Sequence, residues 1–171
     1  MINELMVVAD GFSYPGSDSL EHLKAEIAAL DGGPVRTALG RFATALGRLQ
    51  LGEWEELHTR TVDLSPLFVP YVGHVAWGEN YRRGAFMADL QRAMFGAGVD
   101  KGGELPDHLA PILRLLAVGG DLPDDLIEAL PPAVASMRKD LKKAEPDNPY
   151  RYLLAAAEAA VTAHLPQGAS A

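Results

Sequence analysis

The chain contains no cysteine, which excludes disulfides, thiolate-held metals and cysteine nucleophiles. It has no long apolar run either. Stretches such as Leu153 to Ala157 fall far short of the roughly 20 residues that a membrane-crossing helix needs. Met1 to Gly11 lacks a basic start and carries Glu4 and Asp10, so it does not read as a secretory signal. Positive charge is scarce: 15 Lys and Arg stand against 23 Asp and Glu, a formal net charge of −8. The excess leans toward the first third, since residues 1–63 hold ten acids and five bases and residues 64–171 thirteen and ten. Such a surface repels nucleic-acid phosphates and anionic lipid, and it attracts basic partners. Sustained apolar–polar alternation with β-branched residues is also missing, so strands are not expected. Together these absences predict a cytoplasmic chain with no nucleic-acid partner and no direct membrane insertion.

What is present is helical. At 171 residues, 48% hydrophobic and a mean hydropathy of +0.01, the chain is long enough to bury one core. Apolar residues recur at three- and four-residue steps: Leu20, Leu23, Ile27 and Leu30; then Val35, Leu39, Phe42, Leu46 and Leu49; then Trp54, Leu57 and Thr61. Glu79 to Phe95 reads as a long helix carrying Phe86, Leu90 and Met94. Asp107 is read as the cap of a helix running to Val118 and closed by Gly119-Gly120. Pro123 opens a short helix to Leu130, and Pro131-Pro132 opens another ending in Lys142 and Lys143. Asn148-Pro149 is a cap and first-position signal for the last helix, Tyr150 to His164. The pattern predicts an all-α, single-domain bundle of about seven to nine helices over residues 1–164, with a proline-rich central connector and a frayed tail, 165–171. No repeat of fixed period is present.

Two segments break the helical pattern in an unusual way. Helices are usually joined by short polar turns. Here Asp63-Leu64-Ser65-Pro66-Leu67-Phe68-Val69-Pro70-Tyr71 and Glu104-Leu105-Pro106-Asp107-His108-Leu109 are apolar, acidic and rich in proline. They are therefore either buried or used to hold something. Tyr71 and Trp77 lie in the connector, where an aromatic ring is free to face a cavity and offers large contact area at low entropic cost. Arg82-Arg83 at a helix start opposes the helix dipole unless a carboxylate such as Glu79 or Asp63 compensates.

Catalytic chemistry finds little support. Asp107 and His108 are adjacent, with Glu104 close by, but consecutive residues in a first helical turn point apart and do not orient one another. No Gly-x-Ser-x-Gly nucleophile elbow is present. The five histidines, His22, His58, His74, His108 and His164, lack metal-ligand spacing, and convergence of His74, Glu104 and His108 is not required by anything in the sequence. The glycines of Gly96 to Gly103 form no phosphate loop. The expectation is no catalytic residue, no metal and no cofactor.

The run from Glu55 to Pro66 (Glu-Glu-Leu-His-Thr-Arg-Thr-Val-Asp-Leu-Ser-Pro), then Pro70-Tyr71, Gly78-Glu79-Asn80-Tyr81-Arg82-Arg83-Gly84 and Glu104-Leu105-Pro106-Asp107-His108-Leu109, resembles the cytoplasmic assembly chaperones of complex molybdoenzymes. These are the nitrate reductase delta-subunit and TorD-like proteins. The resemblance covers Trp54 to Ala117 and is looser outside, with Glu-x-Pro-Asp-His its most specific part. It implies a non-catalytic helical protein that binds the N-terminal, often twin-arginine-type, peptide of a molybdopterin-containing catalytic subunit. That subunit is held until its cofactor is inserted, with cofactor-delivery proteins as further partners. Nitrate reductase is the first client to expect, from the Thr-Val-Asp-Leu-Ser and Tyr-Arg-Arg-Gly segments. Carried over by position, the peptide-binding residues are Asp63, Pro70, Tyr71, Glu104, Pro106, Asp107 and His108; the His74-Val75-Ala76-Trp77 stretch is a point where the family varies.

From the residues themselves, a basic and partly apolar leader would lay its apolar face along Phe68, Tyr71 and Trp77. Its arginines would meet Asp63, Glu104 or Asp107 through charge-assisted hydrogen bonds. Two other classes stay open on sequence: a helical adaptor binding an unrelated protein, and an enzyme or nucleotide-binding protein using Glu104, Asp107 and His108. A monomer is expected, with helix exchange between two copies as the alternative at the glycine-rich loops.

Overall fold

The computed structural model describes residues 3–64 and 66–166. Nine α-helices and one π-helical turn form the described chain, which is all-helical: α1 (Glu4–Asp10), α2 (Ser19–Ala29), α3 (Pro34–Leu46), α4 (Leu51–His58), the π-turn (Thr59–Asp63), α5 (Val72–Trp77), α6 (Tyr81–Ala97), α7 (Leu109–Val118), α8 (Asp124–Ala144) and α9 (Tyr150–His164). No helix among the described residues is long and apolar enough to cross a membrane. The expected start of the first helix at Ile2, the connector's Ser65 and the tail residues 167–171 lie outside the described residues.

α9 is the central element. It packs against α3, α8 and α1, while α1 also packs against α7, and α5 bridges to α8 and α6. The reason lies in its composition. Tyr150, Leu153, Leu154, Ala156, Ala157, Ala160 and Val161 are all buried, so apolar residues cover more than one stripe, as a helix enclosed on several sides requires. Its alanines let neighbours approach closely. Asn148 secures its start, because the side-chain Oδ1 accepts from the Tyr150 N–H at 2.9 Å. The Asn148 amide then donates to Thr61 Oγ1 at 2.9 Å, tying α9 to the π-turn.

Three boundaries differ from the sequence expectation. Pro131 and Pro132 do not begin a new helix: α8 runs unbroken from Asp124 to Ala144 with both inside it. Each removes one backbone donor, yet both side chains face solvent while Leu130, Ala133 and Val134 are buried, and that continuous apolar stripe outweighs the lost bonds. The connector is not fully irregular, because Val72–Trp77 forms the short helix α5. The cap of α7 is His108 rather than Asp107: His108 Nδ1 accepts from the Ala110 N–H at 3.1 Å. Pro111 then falls within the first turn, where its missing donor has no helical acceptor to lose. Gly119 ends α7 with φ 70°, a left-handed geometry that glycine adopts without penalty.

Candidate functional site

The two proline-broken segments meet. Val72 N–H donates to Asp107 C=O at 2.8 Å and Leu109 N–H donates to Pro70 C=O at 2.9 Å. This isolated antiparallel bridge pairs Tyr71 with His108. The tyrosine ring stands edge-on to the imidazole, with centroids 5.5 Å apart.

Beneath the bridge lies a buried ion pair. Arg83, in the first turn of α6, donates from Nε to Asp107 Oδ2 at 2.9 Å and from Nη2 to Asp107 Oδ1 at 3.4 Å. Its Nη1 donates to Glu79 Oε1 at 2.7 Å. Asp107 is fully buried and Arg83 only 8% exposed; the hydrogen bond to Asp107, above all, holds the guanidinium pKa up. Gly73 makes room for this pair. A Cβ there would stand 2.8 Å from Asp107 Oδ2 and 3.0 Å from the Phe86 ring, closer than atoms pack. Asp107 is thus committed to an arginine of its own chain. It is not turned toward a partner's cation, and it does not orient His108 as a catalytic base.

The side chains that share a surface cleft are others. A hollow of about 320 Å³ is lined by Phe12, Tyr14, His58, Asp63, Glu104 and His108, among others, with no lysine or arginine in its wall. The π-turn delivers Asp63 as its last residue. One turn of i→i+5 bonding, closed by Leu64 N–H to Thr59 C=O at 2.9 Å, rotates Asp63 away from where a regular helix would place it; such insertions recur at functional sites. Burial, and then the charge of Asp63, pushes the Glu104 carboxyl pKa up.

Two histidines line the floor, and each has one nitrogen spoken for. His108 accepts the Ala110 N–H on Nδ1, so its neutral form carries the proton on Nε2. Burial drives its pKa down to about 4, against the opposing pull of Asp107. His58 Nδ1 lies 3.1 Å from the Tyr150 hydroxyl, which itself receives the Trp54 indole N–H at 3.2 Å. The phenol oxygen thus joins the indole and the imidazole in one buried hydrogen-bonded cluster, and burial lowers the His58 pKa as well. Both imidazoles are neutral donors at pH 7.

Of the residues predicted from sequence, Asp63, Glu104 and His108 converge on this hollow. Tyr71 stands behind His108, and Pro70 and Pro106 are buried, Pro70 as the residue whose C=O accepts in the bridge. Phe68 does not line a groove: it is 2% exposed and belongs to the core. Trp77 is packed edge-on against Phe86 at 4.9 Å with Arg82 over its ring at 4.7 Å. Sequence reasoning missed Phe12, Tyr14 and His58. Tyr14 offered a signal, since an exposed aromatic beside a Pro-Gly turn carries the same mark that singled out Tyr71. It also missed that Asp107 rather than Asp63 joins Glu79 in compensating Arg83. Among the described residues no group of three or more His, Asp or Glu side chains is arranged to hold a metal ion.

No family model matches the chain, and no curated protein matches it.

Proposed function

We propose that the protein is a non-catalytic assembly chaperone of the cytoplasm. In this reading it binds the cationic N-terminal peptide of a molybdopterin-containing oxidoreductase subunit in the hollow between Asp63 and Glu104. The observation that carries the reading is the convergence of these two carboxylates on a cleft with no cation of its own. Glu55 adds negative charge at its rim, where it accepts from the Tyr14 hydroxyl at 3.4 Å. The Glu104 carboxylate, disfavoured by burial and by the charge of Asp63, gains from an arriving guanidinium, which donates hydrogen bonds to both carboxylates and offsets their repulsion. Tyr14 and Phe12 supply an apolar wall for the leader's aliphatic stretch, and the net charge of −8 speeds its encounter. The resemblance through Glu104-Leu105-Pro106-Asp107-His108 names the client class: the catalytic subunit of nitrate reductase or a relative, with cofactor-delivery proteins as further partners.

The test is a calorimetric titration of a twin-arginine leader peptide into the wild type, Asp63→Asn and Glu104→Gln. Each substitution is expected to weaken binding about tenfold, the loss of one charge-assisted contact. Unchanged affinity in both variants would remove the hollow from the site. Capture of a non-molybdoenzyme partner that the same two variants release would instead make the protein a helical adaptor.

A further inference from the structure

A second cleft, sharing no lining residue with the acidic hollow, has the opposite character. It measures about 590 Å³ and lies over α9 between α3 and α8, lined by Arg41, Arg138, Lys139, Lys142, Arg151 and Tyr152, with Ala155 also in its wall. Five of the chain's 15 cations thus face one concavity, in a molecule of net charge −8 and with no acid in the lining. Bringing like charges together costs electrostatic free energy, and little inside the protein offsets it here. Arg138 pairs with Glu158 at 2.5 Å and Arg151 with the exposed Asp147 at 3.6 Å. Arg41, Lys139 and Lys142 form no ion pair or side-chain hydrogen bond among the described residues. The Arg151 Nε is buried without a partner, although its Nη1 donates to Pro146 C=O and its Nη2 to the Tyr152 hydroxyl.

Helix geometry makes this a built arrangement. Arg138 and Lys142 are four residues apart on α8, so their side chains lie one above the other. Arg151 and Ala155 have the same spacing on α9, and the small Ala155 leaves the space open. A shallower depression with Thr37, Thr44 and Arg48 continues from this cleft through the shared Arg41 and Tyr152. A concavity of several hundred Å³ suits a small molecule rather than a flat protein face.

We propose that this cleft binds a phosphorylated small molecule with two adjacent phosphates, held by Arg41, Lys139 and Lys142. Either a free diphosphate anion or the diphosphate of a nucleotide has this chemistry. A base would extend along the depression that shares Tyr152. The binding is independent of the acidic hollow and of its peptide.

Calorimetric titration of the full chain with inorganic pyrophosphate at low salt tests it. Binding is expected with Kd below ~1 mM, weakening as salt is added. Arg41→Gln and Lys142→Gln, both at exposed positions, are each expected to weaken it about tenfold, while Arg92→Gln on α6 leaves it unchanged. Adenosine diphosphate distinguishes the sources. Tighter binding than pyrophosphate, with the increment lost in Tyr152→Leu, assigns a nucleotide; equal binding assigns a ligand without a base. Absence of heat with both compounds overturns the proposal. So does affinity indifferent to Arg41→Gln and Lys142→Gln, or a glutamate-rich peptide binding where pyrophosphate does not. Thermal shifts of the wild type with pyrophosphate and with sulfate at matched ionic strength give a readout that needs no variant.

Discussion

At the scale of single residues, the Arg83–Asp107 pair governs how the site is assembled. Removing one member of a buried ion pair leaves the other as an uncompensated charge, which costs about 3–5 kcal/mol. Asp107→Ala is therefore expected to lower the urea unfolding free energy by that amount, with any loss of peptide binding following from misplacement of the 104–109 segment. The double variant Arg83→Met, Asp107→Leu should recover much of the stability, because no buried charge is left behind. A double variant no more stable than Asp107→Ala would show that the ion pair contributes through geometry that apolar packing cannot replace. Asp107 was visible in the sequence as an important acid, but its partner was not. The two residues are 24 positions apart, and nothing in local spacing joins the first turn of α6 to the segment that precedes α7.

At the scale of elements, helix starts were legible where side chain and backbone cooperate within a few residues. Asn148 before Pro149 carries the signature of a cap, and its side chain accepts the Tyr150 N–H. Its second bond, to the buried Thr61, comes only from the fold. Asn148→Ala should thus cost more than an ordinary cap, about 2–3 kcal/mol in urea unfolding, since it also strands a buried hydroxyl. A loss below about 1 kcal/mol would mean that water satisfies Thr61. α7 shows the opposite case. Asp107 has the better propensity for a cap, yet His108 holds that position because Arg83 has taken the aspartate. The prolines of α8 misled for a similar reason: their local penalty is real, but the helix is held by the core on its other face.

At the scale of the whole molecule, charge is divided between an acidic hollow and a basic cleft, and the acidic one is floored by neutral histidines. His108 titrates at about 4 in the folded chain against about 6.5 when unfolded. The unfolded state therefore binds the extra proton first as pH falls. Its stabilising contribution is complete above 6.5 and is lost progressively down to about 4, on the order of 3 kcal/mol in all. His58, lowered in the same direction, adds to this. His108→Asn keeps a cap acceptor and removes the titration. Urea midpoints measured from pH 7 to 5 should fall less steeply in this variant than in the wild type. Equal slopes would show that His108 is not the group responsible.

An all-helical chain, the helices that carry the core and the two segments that interrupt them follow from the order of residues alone. These features rest on spacings of three and four residues and on proline and glycine chemistry, which act locally. Which acids remain open to solvent is set by long-range packing. Asp63 and Glu104 line the hollow while Asp107, in the same stretch as Glu104, is consumed by Arg83. That outcome depends on which distant side chain occupies the space next to each carboxylate, and the packing of α5, α6 and α7 sets it.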